Sequence, residues 1–339
     1  QKVRTLRGEY LAYLSETRQT VRNVADRQRA FVNWALPAPE ALVAVAEQGE
    51  RVWEREPGVE MLNARVGVSE QSLAMELLAP DLPPMANPDI VCLSAMTRFV
   101  ETHRNLDSVA FGVPLEDYSH VELAGRREDT IGVARLIMTH LATFVSPSYL
   151  RIAVLCSPDR LTEWEWVKWL PHAGSTVESD AVGPARMVVT EDIDLLDLLG
   201  SDVTDRPGFT PRGDLTPWPH VLVVCDGAEL PASTQIGSRD GAAGVTVVNL
   251  HEKWGALTSP STVRLLVHPV AKGQTRGVLE VNLFSHQAIV GEWERVGRAQ
   301  AEAIARRLTP FAMGTEKKES ETPVGRSDVK RSVDLMELL

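Results

Sequence analysis

The sequence predicts an α/β protein in which a mostly parallel sheet is flanked by helices and preceded by a helical stalk. Short apolar runs typical of strands covered on both faces, best seen in LRIAVLC at 150–156, alternate with segments of helical periodicity. Residues 3–34 carry apolar side chains at three- and four-residue steps among many charges, as in a long amphipathic helix. A chain of 339 residues is long enough for one large α/β domain with an appendage, or for two domains.

The predicted stalk covers residues 1–56. Its apolar positions predict one long helix, which suits pairing with a partner helix; they are Leu6, Tyr10, Tyr13, Leu14, Val21, Val24 and Phe31. The arginines at 18, 22, 27 and 29 suit either an acidic partner or plain solvent exposure. Pro37 and Pro39 end this helix, and a second helix is predicted from Glu40 to about Glu54.

Residues 57–115 predict a mixed α/β subregion packed on the core. Alternating or apolar runs predict strands at 60–66, 71–77 and 106–113, and helical spacing predicts a helix at 89–102. The proline-rich stretch DLPPMANP at 81–88 predicts a loop.

The layout of a phosphate-binding strand, loop and helix spans residues 118–147. Nucleotide loops are written G-x-x-x-x-G-K-[ST], because glycine exposes backbone amides to the phosphates, lysine reaches the outer phosphates and the hydroxyl holds magnesium. Gly125 takes the first position, but Thr130, Ile131 and Gly132 take the places of the second glycine, the lysine and the hydroxyl residue. The sequence therefore predicts a retained architectural turn without the usual ligands, after a strand at 120–124.

A second candidate site lies in WPHVLVVCDGAEL, from Trp218 to Leu230. An apolar strand ending in Asp226 is typical of the acid that holds magnesium beside bound phosphates. Gly227 follows where a second acid would polarise water, and Glu229 lies further along. Asp-Gly is equally a turn signal, so metal ligand and turn both remain open for Asp226. Strands at 244–250, 263–269 and 277–284, with a hairpin around 272–277, complete the sheet of an α/β domain at 116–312.

An aromatic cluster occupies the segment after the 150–156 strand. A helix opening at Ser157 or Asp159 is predicted to carry Trp164, Trp166 and Trp169, a load more typical of core or interface packing than of a ligand cage. Lys168 and His172 are conceivable as a catalytic pair. A surface lysine and a helix-terminal histidine is the favoured interpretation, because no partner carboxylate can be assigned. A helix at 291–308 and a polar linker at 313–339 follow.

Four sequence motifs carry a family resemblance over most of the chain. They are WEREP at 53–57, RVG at 65–67, GVARLIMTHLATFVSPSYLRIAVL at 132–155 and WEWVKWLPH at 164–172. These words resemble FtsK/SpoIIIE-type translocase ATPases, especially the EccC/EssC ATPases of type VII (ESX) secretion, in the domain before the tandem ATPase modules. The resemblance implies a RecA/P-loop-NTPase-like sheet in a cytoplasmic, degenerate ATPase-like domain. Its parent protein would be anchored in the inner membrane upstream and catalytic downstream.

The resemblance also implies partners. The stalk would contact other membrane-complex subunits of the secretion system, and SVDLMELL at 332–339 resembles the entry to the first downstream ATPase module. An oligomer would form through the parent protein.

Composition narrows the function classes. The formal net charge is −11 and no basic stripe suits a phosphate backbone, so nucleic-acid binding is disfavoured. Cys92, Cys156 and Cys225 show no metal-ligand spacing and are expected to be buried thiols. No apolar run approaches the eighteen residues of a membrane span, so the chain is expected to be soluble as given.

Three functions remain open from the sequence. The first is a non-catalytic scaffold and regulatory module of a secretion motor. The second is a nucleotide-binding domain that would use Gly125, Thr130, Ile131, Gly132 and Asp226, with ATP and magnesium as possible ligands and Asp226 as the metal ligand. The third is an unrelated small-molecule enzyme with its site at the carboxyl edge of the sheet, although no nucleophile and base can be paired.

Overall fold

One mixed sheet of ten strands organises the chain in the computed structural model, which describes residues 2–58, 60–79, 89–181, 183–211, 219–274 and 276–319. The strands are β1 (Asn63–Ser72), β2 (Asn105–Pro114), β3 (His120–Gly125), β4 (Leu150–Cys156), β5 (Gly174–Asp180), β6 (Gly183–Arg186), β7 (Val188–Val189), β8 (His220–Asp226), β9 (Val245–His251), β10 (Thr262–Val267), β11 (Val278–Leu283) and β12 (Ile289–Trp293). The helices are α1 (Lys2–Ala35), α2 (Pro39–Gln48), α3 (Ile90–His103), α4 (Arg127–Phe144), α5 (Leu161–Trp164), α6 (Asp192–Leu199), α7 (Ser201–Thr204) and α8 (Arg298–Glu319).

The strand order across the large sheet is β2-β1-β12-β11-β10-β3-β9-β8-β4-β7, while β5 and β6 form a separate pair. The block from β10 to β7 is parallel, and the block from β2 to β10 is antiparallel. Counted in chain order from β3 to β10, the central parallel strands lie in the order 5-1-4-3-2. The strand that leads into α4 is thus separated by β9 alone from the strand that ends at Asp226. This arrangement confirms the predicted P-loop-NTPase-like sheet flanked by helices.

Of the two helices predicted in the N-terminal region, the first is confirmed and the second is shorter than predicted. The long stalk helix is confirmed as α1, whose Leu14, Val21 and Ala25 are buried against α3 and β2. The second helix ends at Gln48 rather than near Glu54, because Gly49 adopts a left-handed conformation and its amide closes the last turn on the carbonyl of Val45.

The subregion at 57–115 is part of the large sheet. Its β1 extends to Ser72, so the strand predicted at 71–77 is wrong: Gln71 and Ser72 still pair with β2, but no strand follows in the described residues up to 79. Strand β12 connects this subregion to the remaining strands of the large sheet, because it pairs with both β1 and β11. Strand β12 was not predicted, because it has only five residues and one of them, Gly291, is unfavourable in a strand. The predicted β10–β11 hairpin is confirmed.

Helix α4 lies at the centre of the molecule. Every residue from Asp129 to Phe144 is buried, because the helix is covered by the sheet on one side and by α2 and α8 on the other. The hydroxyls of Thr139 and Thr143 donate to carbonyls four residues earlier, which satisfies polar groups that would otherwise cost free energy in this core.

The tryptophan-rich segment is not the single helix that the sequence predicts. It consists of 3-10 turns at Pro158–Arg160 and Glu165–Trp169 on either side of the four-residue α5, followed by another turn at Pro171–Ala173. The helix predicted at 291–308 begins only at Arg298, because Gly291 belongs to β12, and it continues to Glu319.

Some of the predicted features lie outside the residues that the structure describes. The loop at 81–88, Trp218 and the linker from residue 320 onward lie outside the described residues. The three cysteines are free thiols, but Cys92 is only half-buried. No helix among the described residues is long and apolar enough to cross a membrane.

Candidate functional site

Most of the architectural turn predicted at 125–132 is helix in the structure. Strand β3 ends at Gly125 and α4 begins at Arg127, so a single residue, Arg126, connects them. The amides of Asp129 and Thr130 bond to the Arg126 carbonyl at 2.9 and 3.0 Å. These two amides, which could face phosphates in an open loop, are thus bonded inside the first helical turn. The prediction of a retained eight-residue turn is therefore wrong.

Glycine is required at the start of this connection. Gly125 has a φ of +151°, and a Cβ there would lie 2.4 Å from the carbonyl oxygen of Val267 on the neighbouring strand β10. The first glycine of the template is therefore kept for close strand packing and chain reversal rather than for a phosphate.

The three remaining template positions pack inside α4. Ile131 is 6% exposed and belongs to the main hydrophobic core. A Cβ on Gly132 would lie 2.8 Å from that of Arg295, so this glycine permits the close approach of the segment before α8. Thr130 is buried, and its hydroxyl lies 3.3 Å from the carbonyl of Arg127.

Asp226 ends β8 as predicted, but its carboxylate is fully occupied by side chains of the same protein. Arg127 donates through Nε to Oδ1 at 3.1 Å and through Nη2 to Oδ2 at 2.7 Å. Arg160 donates to Oδ1 at 2.7 Å, and the indole of Trp164 donates to Oδ2 at 2.9 Å. Asp226 is 0% exposed. We call these four residues the Asp226 clamp.

The electrostatics of the clamp favour a permanently ionised carboxylate. Burial raises the pKa of Asp226, but the hydrogen bonds from Arg127 and Trp164 and the charge of Arg127 outweigh it, so the pKa lies below its ordinary value. The same ion pair raises the pKa of Arg127. Two guanidinium groups face one carboxylate, so the negative charge that would attract a metal ion is already compensated.

The residue after Asp226 is also fixed by the clamp. Gly227 has a φ of +75°, and a Cβ there would lie 2.6 Å from Nη1 of Arg160. Arg160 therefore fills the space beside the position where a second acid would stand. The turn interpretation of Asp-Gly is correct for Gly227, and Glu229 is exposed beyond it.

The two arginines that follow Gly125 in the chain are paired internally. Arg126 contacts Glu128 and Asp129, each at 2.8 Å, while Arg127 is held by Asp226. A cleft of about 620 Å³ does lie at this edge, between the ends of β3 and β10, with the exposed Trp254 and the half-exposed His268 on its wall.

The residues present do not fit a magnesium-bound nucleotide. The loop amides lie in a helix, Ile131 replaces the lysine, and both oxygens of Asp226 accept hydrogen bonds from protein donors. Among the described residues, no group of three or more histidine, cysteine or acidic side chains is arranged to hold a metal ion.

The aromatic cluster packs beneath α8. Trp164 and Trp166 are buried, and Trp169 is half-buried with the guanidinium of Arg306 4.0 Å from its ring centre. The hydroxyl of Thr309 on α8 donates to the carbonyl of Trp169 at 2.9 Å. These contacts support a packing role for the tryptophans. Trp164 in addition donates the hydrogen bond to Asp226 described above.

Lys168 and His172 do not form a pair. Lys168 is exposed, whereas His172 is buried and held by a 2.7 Å hydrogen bond to the carbonyl of Val145. Burial lowers the pKa of His172 to about 4, so the imidazole is neutral at pH 7. It is a structural core histidine rather than a helix-terminal one.

Arg160 is the residue of the clamp that sequence reasoning missed. A usable signal existed, because Arg160 lies four residues after β4, and β4 and β8 are neighbouring parallel strands in which Cys156 pairs with Asp226. The carboxyl ends of parallel strands meet at one edge, so a cation after β4 was within reach of an acid after β8.

Comparisons of the sequence with known proteins converge on one group. No established family profile matches. The chain is 31% identical over 315 residues to the ESX secretion system protein EccC of Thermomonospora curvata, covering 91% of this chain and 23% of that protein. It is 33% identical over 255 residues to the ESX-3 secretion system protein EccC3 of Mycobacterium tuberculosis, covering 74% and 19%. The ESX-1 secretion system protein EccCa1 of the same organism is 28% identical over 317 residues, covering 91% and 40%. The chain thus spans less than half the length of these relatives.

The solved structures that align with this chain are less similar to it in sequence than these relatives are. The cytoplasmic domain of the Thermomonospora curvata type VII secretion ATPase EccC aligns with a TM-score of 0.40 and 16% identity over 77% of this chain and 32% of that one. ATPases 2 and 3 of EssC from Geobacillus thermodenitrificans align with a TM-score of 0.41 and 9% identity over 79% and 52%.

Proposed function

Because the chain belongs to the EccC/EssC family of type VII (ESX) secretion proteins, we propose that it serves the secretion motor as a scaffold and regulatory module that does not hydrolyse ATP. In this role it joins a membrane-side stalk, α1, to the ATPase modules that follow in the parent protein. The parent is anchored in the inner membrane and this part of it is cytoplasmic. Other subunits of the membrane complex dock on the stalk, and neighbouring copies meet through the parent protein.

The observation that carries the proposal is the Asp226 clamp. In an active nucleotide site the acid at the end of this strand holds magnesium, and a lysine from the loop balances the phosphate charge. Here Arg127 comes from the start of α4 and occupies the carboxylate from the side where the phosphates would lie. An internal ion pair thus takes the place of the ligand.

The absence of catalysis can be tested directly by calorimetry and an ATPase assay on the chain. We expect no saturable heat on titration with magnesium and ATP at millimolar concentrations, and no phosphate release above the buffer rate. Saturable binding that is lost in Asp226→Asn and kept in Glu229→Gln would contradict the proposal, since Glu229 is an exposed acid three positions away.

The scaffold role requires a separate test on the stalk of the parent protein. Leu6 and Tyr13 are exposed on α1, so replacing both with serine leaves the core intact. We expect this double variant to lose co-purification with the detergent-solubilised membrane complex. Matched retention of the wild type and the variant would show that the stalk is not the docking element.

A second function, nucleotide sensing, is favoured by the cleft beside Gly125. That cleft is large enough for a small organic ligand, and Trp254 on its wall offers an aromatic face. It makes no use of Asp226, so magnesium-independent binding that is abolished by Trp254→Ala and unchanged in Asp226→Asn would establish this function instead.

A further inference from the structure

A groove of about 890 Å³ separates the C-terminal end of α1 from the outer face of β1 and β2. Its apolar wall includes Phe31, Trp34 and Phe111, and acidic side chains line its rim at Glu54, Glu56 and Glu60. We call it the stalk groove. It lies outside the Asp226 clamp and shares no residue with it.

The apolar wall is open to solvent although α1 already buries another stripe. Phe31 is 64% exposed and Trp34 is 57% exposed, while Leu14, Val21 and Ala25 on the same helix are buried. One face of the Trp34 ring is covered by the guanidinium of Arg51, 4.0 Å from the ring centre. Two large neighbouring aromatic side chains exposed at the edge of a groove are typical of a docking surface.

The rim is acidic and mostly unneutralised. Glu54 is paired with Arg51, but Glu56 and Glu60 are exposed and form no ion pair within the described part of the chain. Arg55 also lines the groove and hydrogen-bonds to the carbonyls of residues 35, 61 and 63, and its charge interacts with those of Glu54 and Glu60. Glutamates still outnumber this arginine along the groove, so an excess of negative charge remains. The groove therefore suits a segment that carries aliphatic side chains together with positive charge.

The last described helix contacts the residue that precedes the acidic rim of this groove. On α8, the ring of Phe311 lies 6.0 Å from that of Trp53, the residue directly before Glu54. The helix runs on to Glu319, about 12 Å past Phe311 at 1.5 Å per residue. The five residues that follow can extend at most about 17 Å from the end of the helix.

The sequence that follows has the composition that the groove requires. Residues 324–333 read VGRSDVKRSV, with three cations, one acid and three valines. We propose that this segment docks in the stalk groove of the same molecule. The valines of this sequence match the apolar side chains of Phe31 and Trp34 in chemistry, and its three cations match the opposite charges of Glu56 and Glu60. The contact would tie the exit of α8 to the end of the stalk.

Limited trypsin digestion of the full 339-residue chain tests the proposal. Cleavage after Arg326, Lys330 and Arg331 is followed by mass spectrometry and compared with cleavage of a synthetic peptide covering 320–339. We expect the chain to be cut at least about tenfold more slowly than the peptide, because a docked segment is cleaved only when it is released. Equal rates overturn the proposal.

Variants locate the docking site without disturbing the core. Trp34→Ser is expected to raise the cleavage rate about tenfold, and Glu56→Gln with Glu60→Gln about threefold. Tyr13→Ser and Glu16→Gln are matched controls, because they remove an exposed aromatic ring and an exposed acid from α1 away from the groove. Equal acceleration in the controls overturns the proposal, as does protection that rises with protein concentration, which would place the segment on another copy.

Discussion

Replacing Asp226 with asparagine is the sharpest test of the clamp. Asparagine keeps the shape of the side chain but removes the negative charge that balances Arg127 and Arg160. Its amide oxygen can still accept from the donors on one side of the clamp, while its NH₂ group has to face a guanidinium on the other side. We expect a large loss of stability from a change of one atom type.

The size of the expected loss of stability depends on how exposed each donor side chain is. Removing one partner of a buried ion pair costs about 3–5 kcal/mol, and leaving a buried donor unsatisfied costs about 1–3 kcal/mol. Trp164 is fully buried, but the side chains of Arg127 and Arg160 are 26% and 28% exposed and can regain water. We therefore place the loss for Asp226→Asn at about 3 kcal/mol, near the lower end.

Urea unfolding followed by tryptophan fluorescence and by circular dichroism measures this loss. Glu229→Gln is the control, because it removes an exposed acid from the same turn and is expected to stay within about 0.5 kcal/mol of the wild type. If Asp226→Asn unfolds at the same urea concentration as Glu229→Gln, the carboxylate is not the centre of a stabilising clamp and the reasoning fails.

Three further predictions concern the lost ligands and the buried histidines. Ile131→Lys should lower the free energy of unfolding by more than about 2 kcal/mol and create no ATP binding by calorimetry, because it places an ammonium group in the core of α4; wild-type stability would contradict this. Gly227→Ala should cost more than Gly273→Ala in urea unfolding, since both glycines have positive φ but only a Cβ at Gly227 meets Arg160; equal losses would show that backbone strain of about 1–2 kcal/mol is the whole effect. Burial lowers the pKa of His172 to about 4 and of His220 to about 3, whereas the unfolded chain takes up protons from about pH 6.5 downward. Protonation of this pair in the unfolded chain should therefore lower the stability by about 4 kcal/mol at pH 5 relative to a pH well above 6.5, and His172→Gln should remove about 2 kcal/mol of that loss in urea unfolding. A loss of the same size in the wild type and in the variant would contradict this.

The strands of the central sheet were predictable because their signal is local. The run at 150–156 is apolar at nearly every position, and the structure places β4 over the same residues. A strand buried on both faces requires such a run whatever surrounds it. The hairpin of β10 and β11 was equally visible, since its turn residues and flanking alternation lie close together in the chain.

The candidate site was only partly predictable, because its outcome depends on contacts between distant segments. The spacing from Gly125 to Gly132 fits a loop, but Gly132 packs on Arg295 and Ile131 enters the core, so helix extends back to Arg127. Tertiary packing overrides a local template in this way whenever the template lacks its ligand-binding residues. The clamp itself joins residues 127, 160 and 226, which no local pattern brings together.

Strand β12 joins the antiparallel strands near the N-terminus to the rest of the large sheet. Because it pairs with β1 and β11, hydrogen bonds run without interruption from β2, against which α1 packs, to β8 and β4 in the parallel block. The antiparallel block that packs against α1 and the parallel block that ends at Asp226 are therefore one continuous sheet. A displacement of one block relative to the other would have to break the hydrogen bonds between two neighbouring strands.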